Sequence, residues 1–357
     1  MVTRKRTPAT TSRKRPVAVL GATGTVGQRF IQLLEHHPWF EVTEVMASDQ
    51  SAGKSYAEAI GSRWKLPSAI PPAVARLKVK RPGDPLRSRL VFSSLDATVA
   101  GEVELHYARA GHFVSSNARN HRMAPDVPLV IPEVNRDHFE LLDRQSYKGG
   151  GIVTNPNCST IVLAMALAPL HRAYGVEQVV TTTFQATSGA GYPGVPSLDI
   201  LGNVIPYIPG EEGKMESETH KILGRLGKKG IEPAEFAVSA TCHRVAVLDG
   251  HLISVSVKLR RRPTRKALVA SLSEFRPLAK LALPSAPEHP IVVREEDDRP
   301  QPRLDSERAG GMGITMGRLR LCSVLDWKFD ALGHNVVRGA AGAAILNAEI
   351  LEREGRL

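Results

Sequence analysis

Cys158 is the residue of this sequence best placed to do covalent chemistry. It stands in the run Asn155-Pro156-Asn157-Cys158-Ser159-Thr160, directly before the apolar residues 161–170. Because asparagine and proline end a strand, the cysteine is predicted to lie in the first turn of a helix. Unpaired N–H groups and the helix dipole would there lower the pKa of the thiol, and the N–H groups could hold an oxyanion. The pattern favours a nucleophile; the alternative is a buried cysteine acting as a small apolar side chain.

A nucleophilic thiol needs an acid–base partner, and the chain has 12 histidines. His251 follows the turn dipeptide Asp249-Gly250 and opens a predicted strand, which places it at the rim of a sheet. On this reasoning alone, its advantage over His220, His243 and His334 is slight.

A glycine turn is the other pattern that carries chemistry. It separates the wholly apolar residues 17–20 from residues 28–36, whose apolar positions have helical spacing. Glycines in such a turn let the backbone approach a pyrophosphate, and the following helix offers free N–H groups and its positive dipole end. The order strand, glycine turn, helix therefore predicts a dinucleotide site. The residues assigned to it are Gly21, Thr23, Gly24, Thr25, Val26 and Gly27.

The end of the second predicted strand, residues 48–54, should meet the adenosine ribose of such a cofactor. Asp49 could accept hydrogen bonds from a free 2′-hydroxyl group, which favours NAD. Ser48, Ser51 and Lys54 could instead hold a 2′-phosphate, which favours NADP. The residues alone leave both cofactors open.

The pattern of apolar residues changes about half-way along the chain. Its first half has short apolar strands typical of a parallel sheet buried on both faces, at residues 17–20, 41–47, 90–92 and 112–115. Residues 178–185 alternate like a strand, and Gln185 leads from it into a small-residue loop that a ligand could approach. Residues 241–247 and 251–258 are predicted to pair as a hairpin. Residues 335–352 are Ala-rich with helical periodicity, and we expect them to pack on the first domain.

Composition excludes several classes of protein. The chain has 357 residues, with 42% hydrophobic and 23% charged residues, as in ordinary globular proteins. No apolar run approaches the ~18 residues that span a membrane. Cys158, Cys242 and Cys322 are far apart without a CxxC pair, which argues against a disulfide framework and a zinc site. A reducing cytoplasm is therefore the expected location.

The net charge of +11 is concentrated at the start of the chain, where six Lys and Arg residues within positions 4–15 have no acidic neighbour. Such a segment cannot bury enough apolar surface to fold, so residues 1–15 are predicted to be a disordered tail. A transit-like segment or a nucleic-acid contact is the alternative, but the tail has no apolar face and no aromatic residue. We expect no nucleic-acid partner and no membrane partner.

Several segments occurring together resemble one family. The chain is similar to aspartate-semialdehyde dehydrogenase, in the branch found in archaea and fungi, from about Val17 to the C-terminus. The matching segments are GATGTVGQRF at 21–30, DVPLVIPEVN at 126–135, NPNCST at 155–160, QATSGAGYPGVPS at 185–197, CHRVAVLDGH at 242–251, REEDDRPQPRLD at 294–305 and HNVVRGAAGAAILNAE at 334–349.

The resemblance implies a role for individual residues. It makes Cys158 the nucleophile that forms an acyl-enzyme, His251 the acid–base residue and Gln185 the residue that orients the intermediate. The implied substrate-binding residues are Arg244 for the carboxylate, Glu211 for the amino group, Arg122 and Lys214 for phosphate, and Asn157 beside the nucleophile. The implied contacts to the cofactor, beyond the glycine turn, are Ser48 and Ser51 at the ribose and Ser188, Gly189 and Asn335 at the nicotinamide half.

Two positions depart from the family pattern. Gln50 stands where the family often has an arginine in the ribose loop, which weakens a strict preference for NADP. Arg119 stands where related sequences carry a smaller residue, so it either adds to the anion site or is solvated. NADP is the expected cofactor, with NAD as the alternative.

With the resemblance, the predicted fold class is α/β: an N-terminal Rossmann-like doubly wound domain and a C-terminal α+β catalytic and dimerisation domain of mostly antiparallel sheet. The dinucleotide-binding domain is predicted to comprise residues 16–155 plus 335–357, and the catalytic domain residues 156–334. The resemblance also implies a homodimer or homotetramer.

The reaction implied is NAD(P)-dependent reduction of 4-phospho-L-aspartate to L-aspartate 4-semialdehyde with release of phosphate, in the biosynthesis of the lysine, threonine and methionine family. One alternative is an acyl-CoA reductase on the same scaffold, such as a malonyl-CoA reductase. A non-catalytic cofactor-binding regulator is the alternative from another class.

Overall fold

The computed structural model describes residues 14–357. The predicted basic tail therefore lies outside the described residues, except for its last two positions. Arg15 already belongs to the first strand, and its guanidinium donates to the Glu352 carboxylate at 2.6 Å. Among the described residues, no helix is long and apolar enough to cross a membrane.

The first domain is built on a six-stranded sheet within the described residues, with strand order β3-β2-β1-β4-β5-β6. All its pairings are parallel, as the short apolar strands predicted. The last four residues of β1 are buried, because helices cover both faces of the sheet. The strands are β1 (Arg15–Leu20), β2 (Phe40–Met46), β3 (Val79–Lys80), β4 (Leu90–Ser93), β5 (Phe113–Ser116) and β6 (Gly151–Thr154).

Helices flank this sheet in the doubly wound arrangement. One apolar core includes Phe30 and Ile31 of the first helix together with Val17 and Val19 of β1. Tyr107 belongs to a second core on the opposite face. The helices are α1 (Thr25–Leu34), α2 (Tyr56–Ile60), α3 (Pro72–Ala75), α4 (Ala97–Arg109) and α5 (Pro132–Asn135), with 3-10 turns at Asp49–Ser51, Gly61–Arg63 and Arg136–Arg144.

The second domain contains a second six-stranded sheet, with order β10-β7-β11-β14-β13-β12, and a two-stranded β8-β9 ribbon. The β7–β11, β11–β14 and β13–β14 pairings are antiparallel, and the other two are parallel. The expected mostly antiparallel sheet is thus confirmed. Its strands are β7 (Val176–Gln185), β8 (Arg225–Gly227), β9 (Gly230–Glu232), β10 (Ala237–Arg244), β11 (His251–Leu259), β12 (Ile291–Val293), β13 (Ile314–Leu321) and β14 (Trp327–Gly333).

The predicted hairpin around Asp249-Gly250 is wrong. β10 and β11 follow each other in the chain, but β7 lies between them and pairs with both. The turn signal was real, since Gly250 has φ of +96°, yet it ends a crossing connection rather than a hairpin.

One helix forms the centre of the second domain. α6 (Cys158–Tyr174) has an unbroken buried run from Ser159 to Leu170 and packs on the second sheet. A helix buried on all sides needs apolar residues all round, which explains why residues 161–170 show no polar face. The remaining helices are α7 (Ser197–Ile200), α8 (Glu211–Ile222), α9 (Arg265–Ser273) and α10 (Pro302–Asp305), with a 3-10 turn at Thr187–Ala190.

The last described segment returns to the first domain. After a π-helical turn at Val337–Ala341, α11 (Gly342–Arg353) packs in the same apolar core as β1 and β4. Its residues Gly342–Leu351 are buried without interruption. The expectation that this helix packs on the first domain agrees with these contacts, while the exact domain bounds stay a prediction.

Candidate active site

Strand order in the second sheet brings three predicted site residues together. β10 and β11 flank β7, and Arg244 is paired in register with Gln185. Leu252 is paired with Phe184, so His251 lies beside the end of β7 as well. All three side chains are buried, with exposed fractions of 7% or less. One end of three adjacent strands therefore presents Gln185, Arg244 and His251 to the same place.

The nucleophile and the histidine meet at this place. Cys158 is the first residue of α6, and its Sγ lies 3.2 Å from Nε2 of His251. Nδ1 of His251 accepts the backbone N–H of Ala186 at 3.1 Å. In the neutral imidazole the ring proton is then on Nε2, so His251 presents a donor to the sulfur and to any oxyanion formed beside it.

Asn157 explains why the helix begins at Cys158. Its Oδ1 accepts the N–H groups of Ser159 at 2.9 Å and Thr160 at 3.1 Å. This cap contradicts part of the predicted oxyanion site, because two of the helix N–H groups are already bonded within the protein.

The structure also contradicts the lowered thiol pKa that the helix position predicted. Burial, reinforced by the Glu211 carboxylate, raises the pKa of the Cys158 thiol to about 12, although Arg122, Arg244 and Lys214 act in the opposite direction. Burial, together with the neighbouring Arg244, lowers the pKa of His251 to about 3. In the ligand-free protein the pair is therefore a neutral thiol beside a neutral imidazole.

Alkylation of Cys158 should reveal this state. We expect its rate with iodoacetamide to rise about tenfold per pH unit from pH 6 to pH 9 without a plateau, because only the thiolate reacts. The measurement is residue-resolved mass spectrometry of the ligand-free protein. Cys322 is the internal comparison, since the Leu325 N–H lowers the pKa of its thiol. A plateau for Cys158 near neutral pH would contradict the raised pKa.

Helix α8 brings two predicted substrate-binding residues to the nucleophile. Glu211, its first residue, accepts Nδ2 of Asn157 at 2.7 Å and Nζ of Lys214 at 3.0 Å. Despite its burial, these two donors keep the pKa of Glu211 below the ordinary value, so the carboxylate is charged. The Lys214 side chain is more exposed than that of Glu211. Lys214 and Asn157 both bind the Glu211 carboxylate, which therefore links them.

Arg122 reaches the same helix from the loop after β5. Its Nη1 donates to Glu218 at 2.9 Å and its Nη2 to the carbonyl oxygen of Asn117 at 2.8 Å. Its Nε is buried and, among residues 14–357, has no hydrogen-bond partner. An unpaired buried donor on an arginine is suited to an anion.

Three residues that sequence reasoning missed complete this arrangement. Glu218 and Lys221 are buried on α8 and belong to the same face as Glu211 and Lys214, at spacings of three and four residues. This spacing was the available signal. Gly339 lies against the nucleophile: a Cβ built there would be 2.7 Å from Cβ of Cys158, so only glycine fits.

Arg119, the other departure noted in the sequence, is exposed and lies beside Asp96. It makes none of the contacts that bind Arg122 to α8.

The glycine turn fits a dinucleotide pyrophosphate. Gly21 has φ of +70°, and a Cβ at Gly27 would be 2.3 Å from the carbonyl oxygen of Gly21, so the turn tolerates neither side chain. Gly24 precedes α1, whose first N–H groups receive no side-chain cap among the described residues. Uncapped N–H groups at a helix start bind phosphate oxygens. Thr23, Thr25 and Val26 lie in this turn and first helical residues.

A cleft of about 420 Å³ continues from this turn to the second domain. Thr25 and Gln28 line one wall and Thr187, Ser188 and residues 246–249 the other. Of the predicted nicotinamide contacts, Ser188 lines the cleft, and Asn335 Nδ2 donates to its Oγ at 2.8 Å. Gly189 approaches His251 and Arg244 so closely that an added Cβ would touch both. The cleft thus runs from the start of α1 to Ser188, and the next residue, Gly189, packs against His251 and Arg244.

The predicted ribose loop lies beside the glycine turn, since the Ala22 N–H donates to the Met46 carbonyl at the end of β2. Ser48 is exposed, whereas Ser51 is buried. Lys54 Nζ donates to the Gln50 carbonyl oxygen at 2.9 Å. Ser48 and Lys54 are therefore accessible to a ribose substituent, and Ser51 contributes less surface than expected.

A Rossmann-like domain with a pyrophosphate turn, combined with a cysteine–histidine pair and two nearby arginines, defines a dehydrogenase that handles an acyl group on sulfur. Family models agree with this class. Residues 16–142 match the model described as "Semialdehyde dehydrogenase, NAD binding domain", and residues 167–338 match "Semialdehyde dehydrogenase, dimerisation domain".

Curated relatives specify the family. An aspartate-semialdehyde dehydrogenase of Archaeoglobus fulgidus is 49% identical over 95% of this chain and 98% of its own length. That of Schizosaccharomyces pombe is 46% identical over 95% and 98%. A crystal structure of the Candida albicans enzyme with NADP is similar at a TM-score of 0.89 and 42% identity, over 96% of this chain and 100% of that one. The chain belongs to the aspartate-semialdehyde dehydrogenase family.

Proposed function

We propose that this protein reduces 4-phospho-L-aspartate to L-aspartate 4-semialdehyde through a thioester on Cys158, with release of phosphate. The observation that carries the proposal is the pairing of Sγ of Cys158 with Nε2 of His251 at 3.2 Å, at a sheet end that also carries Arg244. The relatives described above support this function and not the acyl-CoA reductase or the non-catalytic regulator.

Two charged residues suit an amino-acid substrate. Arg244 donates to the Ala186 carbonyl oxygen at 2.7 Å, which orients its guanidinium while leaving further donors for a substrate carboxylate. The charged Glu211 carboxylate is suited to a substrate ammonium group. When the side-chain acyl group of the substrate reacts, its α-carboxylate and α-ammonium groups stay charged. Arg244 and Glu211 carry the opposite charges beside the nucleophile.

The chemical steps follow from the positions of the side chains. Sγ of Cys158 attacks the acyl carbon. As the bond from that carbon to the phosphate oxygen breaks, the thiol proton passes to the phosphate, which leaves beside Arg122 and Lys214, whose charges offset its own. Gln185 at the end of β7 orients the thioester. NADPH, bound from the glycine turn into the cleft, supplies the hydride. The Nε2–H of His251 donates a hydrogen bond to the oxyanion that forms next to the sulfur. As the C–S bond breaks and the aldehyde leaves, the sulfur takes up the Nε2 proton, and His251 regains a proton from solvent.

The cofactor is NADP, with NAD as the alternative. The uncapped start of α1 and the accessible Ser48 and Lys54 support binding of a nucleotide with an added phosphate. Gln50 lacks the charge of an arginine, so discrimination against NAD is expected to be modest.

A coupled assay tests the function. With aspartate semialdehyde and NADP, we expect reduction of NADP to require inorganic phosphate and to rise at least about tenfold on its addition, because an acyl-enzyme needs an acceptor. The same reaction with NAD measures the cofactor preference. Turnover that depends on CoA and ignores phosphate would overturn the proposal in favour of the acyl-CoA reductase.

A homodimer is the assembly that the second domain supports. β7 alternates between buried residues and the exposed Val180 and Phe184, so its face away from α6 offers apolar surface. A second copy would cover this surface, and multi-angle light scattering distinguishes a dimer from a tetramer or monomer. A cytoplasmic location also stays a prediction, supported by the free state of Cys158, Cys242 and Cys322.

A further inference from the structure

The side chain of Glu218 has no place in the reaction described above, yet it is 2% exposed and lies between two parts of the site. Its Oε1 accepts Nη1 of Arg122 at 2.9 Å, and its Oε2 accepts the backbone N–H of Asn157 at 2.6 Å. Asn157 immediately precedes the nucleophile and caps its helix. A single carboxylate therefore connects the anion-binding arginine to the start of α6.

Both bonds are needed to offset the cost of burying this carboxylate. A buried charge is stable only when it is paired and hydrogen-bonded, and each of its oxygens has one donor here. Charge-assisted bonds in a buried environment are short and strongly directional. Neither Arg122 nor the Asn157 amide can move without breaking one of them.

Lys221 fixes the main chain of the same loop from one turn further along α8. Its Nζ donates to the carbonyl oxygens of Arg122, Ala124 and Val127 at 2.7, 2.8 and 2.9 Å. The loop that carries Arg122 is thus held to α8 by its backbone, while Glu218 orients the guanidinium itself.

The donors of Arg122 that Glu218 and Asn117 do not occupy are the ones that can bind an anion. Asn117 and Glu218 occupy one donor on each terminal nitrogen, and the buried Nε is left without a partner in the part of the chain that the structure describes. We propose that Glu218 is a positioning residue that fixes Arg122 relative to the amino end of α6. An anion bound by Arg122 is then held at a constant position relative to Sγ of Cys158. This inference rests on the proposed function, because it takes Arg122 as a phosphate ligand.

Glu218→Gln tests the inference, because an amide has one acceptor oxygen and cannot serve both donors. In the phosphate-dependent oxidation we expect the KM for phosphate to rise about tenfold and kcat to fall about tenfold. The KM for aspartate semialdehyde and for NADP should change less than about twofold, a split that a general loss of folding would not produce. Glu216→Gln on the same helix is the control, since Glu216 accepts the Ala240 N–H outside the site.

Two further variants keep the test decisive. Glu218→Asp retains the buried charge but has a shorter reach, so it should fold and show the same split with a smaller change. In an Arg122→Met background, Glu218→Gln should alter the phosphate KM by less than about twofold, since the residue acts through Arg122. An unchanged phosphate KM and kcat in Glu218→Gln would overturn the inference, whereas wild-type protein that ignores phosphate would instead overturn the proposed function.

Discussion

Cys158→Ala is expected to lower kcat by about 10⁴-fold or more, because no other side chain at this sheet end can form the thioester. Binding of the cofactor should persist, since the glycine turn and α1 belong to the first domain, whereas Cys158 begins α6 of the second. Steady-state turnover and fluorescence titration with NADPH measure the two effects separately.

Cys322→Ala is the matched control, because Cys322 lies just after β13, away from His251, and contacts Ser256 and Leu325. It should keep wild-type activity. If Cys158→Ala retained a tenth of the wild-type kcat, the covalent mechanism would be wrong even though the family assignment would stand.

His251→Asn is expected to lower kcat by about 10³-fold, the usual size of a lost proton donor. His251 is fully buried, its Nδ1 is held by the Ala186 N–H, and its Nε2 faces the sulfur. Asparagine is shorter and keeps polarity but offers no titratable nitrogen at that position. Single-turnover kinetics in the reductive direction report the step.

His220→Asn provides the comparison. His220 bonds the Ala234 carbonyl oxygen rather than the site, so the variant should stay within about twofold of wild type. A decrease of less than tenfold for His251→Asn would assign the proton transfer to another group.

Local patterns predicted β1, β2, β4 and β5 of the first sheet, the helix α1 and the start of α6. The apolar runs and the glycine turn place β1 and α1 within a few residues of their observed bounds, because a buried parallel strand and a pyrophosphate turn have strong local requirements. Asn157 as the cap likewise follows from local chemistry, since its side chain satisfies N–H groups two and three residues ahead.

Strand order was not available from local patterns. The interposition of β7 between β10 and β11 depends on long-range pairing, for which Asp249-Gly250 carries no information. The free edge of β10 is covered by α8, where Glu212 and Glu216 accept the N–H groups of Cys242 and Ala240. Such an edge contact cannot be predicted from the residues of β10 alone.

Electrostatic properties were the other limit. Position at a helix start predicted a lowered thiol pKa, but the pKa depends on burial and on Glu211, which joins Cys158 only in the folded chain. Charged residues on a helix are ordinarily solvated, so the residue types of Glu218 and Lys221 alone do not indicate a buried site, although their spacing puts them on the face of Glu211. Whether a charged side chain is buried depends on long-range packing, which the local sequence does not specify.

Gly339 and α11 have a consequence for how the protein is made. The nucleotide-binding sheet is synthesised first, yet part of its core is α11, and the packing around Cys158 includes Gly339. A ribosome that has completed β1 to β6 has therefore produced a sheet with one apolar face only partly covered, by α1. We expect nascent chains that end before α11 to rely on chaperones. Catalysis should begin only once Gly339 and α11 have been synthesised and have packed in place.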